Sequence, residues 1–106
     1  MTTWLLLGAA IVSEVTATLS LKRALDRPAF YVFVALGYLL AFVLLSLTLR
    51  EGLGIGVAYG VWAALGVGLT ALGSRVFFGE PITPVMVAGL ALIVGGVLLV
   101  EIGSPH

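Results

Sequence analysis

The chain has 106 residues, 61% of them hydrophobic and only 9% charged, with a formal net charge of zero and no cysteine. A soluble domain carries about a quarter charged residues, and a chain this short cannot bury so much apolar surface within itself, so its natural solvent is a bilayer. The charge balance leaves no electrostatic footprint for nucleic acid, and the absence of cysteine excludes disulfides and thiolate metal sites.

Four apolar runs follow one another: residues 4–21, 30–49, 53–78 and 85–102. Each is long enough to cross about 30 Å of hydrocarbon as a helix. None alternates over about ten residues as barrel strands do. The expected fold is therefore an all-α integral membrane protein, a single four-helix transmembrane domain over residues 1–106. The opening "MTTW" has no basic stretch, so the first run is expected to be a retained span and not a cleaved signal. The breaks carry turn chemistry, "KRALDRP", "REGLG" and "GEPITP", and are short enough to make successive spans antiparallel.

The first span holds Glu14, the one charge deep in the apolar runs; Asp26, Glu51 and Glu80 fall in the breaks and Glu101 closes the last span. A mid-membrane carboxylate costs about 2.5–3.5 kcal/mol to insert, which points to function. A purely structural acid, hydrogen-bonded to Ser13, Thr16 or Thr18 to hold helices together, is the competing reading. Ala10, Ala17 and Thr18 lie one turn away on the face of Glu14, leaving room for another helix or a ligand. Such an acid can hold a proton or an organic cation, but not both, which is the basis of exchange.

In the second span Tyr38 lies too deep for an interfacial belt residue, whereas Trp4 and Tyr31 sit at span edges. The third span contains "AYGVW", which puts Tyr59 and Trp62 on one helical face. An aromatic pair near an acid suits a lipophilic cation through cation–π contact, and Tyr59 could bond the carboxylate; a belt role is the alternative. Gly66 and Gly68 permit a bend in this span. In the fourth, Gly89 and Gly96 with neighbouring Gly95 mark a packing seam, either within the chain or between two copies.

Taken together these residues resemble the small multidrug resistance family of bacterial exporters. The likeness covers the whole chain: length, four spans, "EVTATLSLK" with Glu14, Thr18 and Lys22, "AYGVW" with Tyr59 and Trp62, "FFGEPIT" in the third break, and the glycine seam. It implies a proton-coupled antiporter of the bacterial inner membrane, an antiparallel dimer whose two Glu14 carboxylates form the shared proton and substrate site. By the same carry-over Tyr59, Trp62 and Tyr38 line that site and the fourth span makes the dimer contact. The guanidinium-exporting branch is less similar, usually having tryptophan where Ala17 stands and serine where Ala41 stands. The chain looks more like the multidrug branch, whose substrates are quaternary ammonium and aromatic cations. It departs from the family at Ala63 and Ala64, where a hydroxyl residue and a glycine are usual, and in "REGLGIG", one residue longer than in familiar members.

Lys22, Arg23, Arg27 and Arg75 fall on the side of the first and third breaks, and Arg50 alone on the other. The positive-inside rule then places both termini outside. A single-handed bias suggests pairing with a homologous subunit of opposite topology as an alternative to pairing with itself. Rival functions are a guanidinium-type metabolite exporter and a non-transporting small membrane subunit. An enzyme is not expected: the one histidine is His106, at the terminus, and no nucleophile–base set, phosphate loop, metal site or cofactor motif is present.

Overall fold

The computed structural model describes residues 2–104, so His106 lies outside the described residues. Four long α-helices account for nearly all of it: α1 (Thr2–Ala24), α2 (Tyr31–Arg50), α3 (Ile55–Phe78) and α4 (Pro84–Gly103). All four are long and apolar enough to cross a membrane. Helices are the expected answer in lipid, because each satisfies its own backbone N–H and C=O groups.

The helices overrun or fall short of the apolar runs for local reasons. α1 continues past Leu21 through Lys22 and Arg23, whose cations sit in its last turn, where they complement the negative end of the helix dipole. α3 starts at Ile55 and not at Leu53 because Gly54 is extended. α4 takes in Pro84 at its first turn, where a residue without an N–H loses nothing.

The structure divides into two compact units, residues 1–53 and 54–106. The first is the hairpin of α1 and α2. Its turn runs through hydrogen bonds from Asp26 and Arg27 N–H to the Arg23 carbonyl, 3.2 and 3.0 Å. A single 3-10 turn, Pro28–Phe30, follows an extended Arg27; proline disfavours helical backbone at the residue before it. The rings of Phe30 and Phe33 meet there at 5.6 Å.

The two helices of this hairpin cross closely at one point. A side chain on Gly37 would place its Cβ 2.7 Å from Ala17 Cβ and 3.2 Å from the Ser13 carbonyl oxygen. The Ser13 hydroxyl donates to the Gly37 carbonyl across the crossing at 2.8 Å. Around it Leu7, Ala10, Ile11, Ala17 and Ala41 are at most 2% exposed. Alanines and glycine here let the backbones approach, which is how helices associate in lipid, where burial of apolar surface offers little gain.

The second unit is the pair α3–α4. Gly79 ends α3 at φ +67°, a left-handed conformation that glycine adopts without strain. Its N–H donates to the Arg75 carbonyl at 3.1 Å, and that of Glu80 to Ser74 at 3.3 Å, closing the helix end. The Ser74 hydroxyl also donates to the Glu80 carboxylate. Thr83 then caps α4, its hydroxyl accepting from the Met86 N–H at 3.2 Å. α4 has no buried residue along its described length, the opposite of what a central helix of a soluble domain would show.

Candidate functional site

Glu14 lies in the middle of α1, partly buried. Its two oxygens have different surroundings. Oε1 accepts a hydrogen bond from the Thr18 hydroxyl at 3.1 Å. Oε2 is buried and has no hydrogen-bond partner among the described residues. Of the three hydroxyls within reach by sequence, only Thr18 serves the acid. Ser13 points across to α2, and Thr16 turns back to the Val12 carbonyl at 2.8 Å.

Tyr38 joins this group from α2. Its hydroxyl is 2.7 Å from Thr18 Oγ1, so the hairpin brings Glu14, Thr18 and Tyr38 into one hydrogen-bonded line. Ala10 and Ala17, on the same face of α1, are both fully buried. At Ala17 the space opened by the small side chain is taken by the neighbouring helix at Gly37. Gly37 and the cross-helix role of Ser13 were not singled out by sequence reasoning. A lone glycine in an otherwise bulky span was the available signal.

In the second unit Tyr59 and Trp62 meet edge to face, ring centroids 6.4 Å apart and planes at 73°, a favourable arrangement of aromatic quadrupoles. Trp62 is 8% exposed and Tyr59 65% exposed, so the pair presents one covered ring and one open one. Of the glycines expected to bend α3, Gly66 is buried and Gly68 has open space where a Cβ would stand. The helix runs without interruption from Ile55 to Phe78 through both.

Within the second unit the seam of α4 is not used for close packing. A Cβ at Gly89, Gly95 or Gly96 would meet no atom of the described residues within 4 Å. Gly60 of α3 does approach α4, at 3.7 Å from Val97 Cγ2. No cluster of three potential metal-ligating side chains occurs among the described residues.

The chemistry available in the first unit is therefore that of an intramembrane carboxylate with one anchored oxygen and one buried oxygen that has no hydrogen-bond partner among the described residues, the latter a feature shared by Glu101 Oε2 in α4. Comparison with known proteins gives the family. Residues 2–93 match the family model described as Small Multidrug Resistance protein. A multidrug transporter of Pseudomonas aeruginosa is 39% identical over an alignment of 106 residues, covering 98% of this chain and 96% of that protein. The multidrug resistance protein mmr of Mycolicibacterium paratuberculosis is 36% identical over the same length, with 98% and 99% covered.

Proposed function

The chain belongs to the Small Multidrug Resistance family of multi-pass membrane transporters, and from that premise we propose that it is a proton-coupled antiporter exporting lipophilic quaternary ammonium and aromatic cations. The observation that carries this reading is Glu14 Oε2, buried without a hydrogen-bond donor. A buried acceptor left unpaired costs about 1–3 kcal/mol, and more when it is charged. A proton on the acid removes the charge that makes this cost high, and an organic cation beside it offsets that charge. The two satisfy the same atom and exclude one another, so binding one releases the other. If the site is exposed alternately to the two faces, an inward proton gradient drives the cation outward. Each charge moved through 100 mV supplies about 2.3 kcal/mol.

Tyr59 and Trp62 supply the aromatic surface for such a cation, and the open ring of Tyr59 is the one a ligand can reach. Ala17 favours the multidrug branch, because its Cβ already stands against Gly37 and a tryptophan there would require another helix crossing. The functional unit is an antiparallel dimer in the bacterial inner membrane, formed with itself or with a homologous subunit of opposite topology. The unfilled glycine seam of α4 is its contact surface and the two Glu14 residues its shared site. Gly66 and Gly68 are where α3 flexes between the two access states. No cofactor or metal takes part, and the protein is a carrier and not an enzyme.

The test is tetraphenylphosphonium binding to the purified chain from pH 6 to 9, with and without Glu14→Gln. Affinity should rise with pH, as the competing proton is lost, and disappear in the variant. Binding that is independent of pH and survives Glu14→Gln would refute the exchange reading. Glutamine can still hydrogen-bond, so a variant that keeps full function would instead mark Glu14 as a packing residue.

A further inference from the structure

We propose that Thr18 and Tyr38 are positioning residues that make the two oxygens of Glu14 unequal, anchoring Oε1 and reserving Oε2 for the exchanged proton or cation. This rests on the exchange reading above. The inference begins with what a hydroxyl can do: it has one hydrogen to donate and accepts through its oxygen. Thr18 gives its hydrogen to Glu14 Oε1, so at 2.7 Å its oxygen must accept from the Tyr38 hydroxyl. The line therefore has a direction, from Tyr38 to Thr18 to Glu14.

Thr18 differs from three other hydroxyls on these helices. Thr16, Ser46 and Thr48 each donate to the backbone carbonyl four residues earlier, Val12, Phe42 and Leu44, the usual resort of a hydroxyl within a helix. Thr18 instead donates to the side chain four residues earlier. The difference is the second partner, for Tyr38 reaches across from α2 and fixes the hydroxyl. That reach is set one residue away on both helices. Ser13 adjoins Glu14, Gly37 adjoins Tyr38, and the two are joined at 2.8 Å where the backbones touch.

This arrangement decides where a proton goes. A proton arriving on Oε1 would face the hydrogen of Thr18 and force the line to reverse through Tyr38. One arriving on Oε2 leaves the line intact. The anchored oxygen therefore directs both proton and cation to the same atom, and competition becomes strict. Within this unit the only titratable side chain facing Glu14 from α2 is Tyr38. Lys22, Arg23, Asp26, Arg27 and Tyr31 gather at one end of the hairpin and Arg50 and Glu51 at the other.

The experiment uses the full chain in lipid with its glutamates carrying 13C carboxyl labels, observed by NMR at one fixed pH. Only Glu14, Glu51, Glu80 and Glu101 are present, and Glu14→Gln assigns the signal. Thr18→Val keeps the shape and removes the donor to Oε1. The Glu14 carboxyl signal should therefore move in Thr18→Val, while those of Glu51, Glu80 and Glu101 stay in place. Thr18→Ser should restore it. Tyr38→Phe should move it the same way by less, and not at all when added to Thr18→Val.

An unmoved Glu14 signal in Thr18→Val, or a failure of serine to restore it, overturns the proposal. Tetraphenylphosphonium binding by the same samples is read separately. Binding that depends on Glu14 while the Thr18→Val signal stays put removes only the anchoring role. Binding indifferent to Glu14→Gln removes the exchange reading itself.

Discussion

Replacing Gly37 by alanine tests the hairpin on which the site is built. The new Cβ would stand 2.7 Å from Ala17 Cβ, 3.2 Å from the Ser13 carbonyl oxygen and 3.3 Å from Ala17 Cα. Carbon atoms rest about 3.5–4.0 Å apart, and none of these neighbours can swing aside, because all are backbone or Cβ atoms. The helices must therefore separate by about 1 Å. Overpacking of this kind costs about 1–3 kcal/mol, and stretching the Ser13–Gly37 hydrogen bond about 0.5–1.5 kcal/mol more. Alanine returns about 0.8–1.0 kcal/mol through helix propensity. The net expectation is a loss of about 1–3 kcal/mol. The same displacement would stretch the 2.7 Å contact between Tyr38 and Thr18 beyond hydrogen-bonding range.

Equilibrium unfolding in detergent micelles measures the first effect. Gly8→Ala is the matched control, because a Cβ at Gly8 on α1 meets nothing within 4 Å and should leave stability equal or slightly higher. Gly37→Ala should also weaken tetraphenylphosphonium binding, although the residue has no polar side chain to offer a ligand. If Gly37→Ala is as stable as the parent chain and binds as well, the crossing is not tight and the argument built on it fails.

Thr83→Ala should cost about 1 kcal/mol by removing the hydroxyl that caps α4, seen as faster hydrogen exchange confined to the first turn of that helix, Met86 foremost; uniform protection would contradict it. Expressed alone, the chain should insert mainly with its first and third breaks in the cytoplasm, following Lys22, Arg23, Arg27 and Arg75 against Arg50. Cysteines placed in the breaks and labelled from outside would read this orientation. Equal labelling of both sides would remove the reason to expect a partner subunit of opposite topology.

The four helices and their solvent were legible in the sequence because they rest on local quantities. Length and hydropathy set a span, and turn residues such as Pro28, Gly79 and Pro84 end or start one without reference to distant contacts. Glu14 stood out for the same reason: a charge amid apolar neighbours is conspicuous wherever the chain folds. Family membership followed from the ordered set of motifs and is upheld by the match over residues 2–93.

Only the tertiary structure decided how the acid is held. Helical spacing already put Thr18 on the face of Glu14, but that Ser13 turns to Gly37 and that Tyr38 meets Thr18 required knowing which face of α1 meets α2. The contact of Tyr38 with Thr18 spans 20 residues, and that of Ser13 with Gly37 spans 24. Such pairs depend on the rotation and register of two helices, which no local pattern encodes. The glycines that drew attention were those of the third and fourth spans, because they are numerous. A tight approach belongs instead to a single glycine in α2, Gly37, since what matters for packing is the atom opposite a missing side chain, and sequence spacing does not reveal that atom.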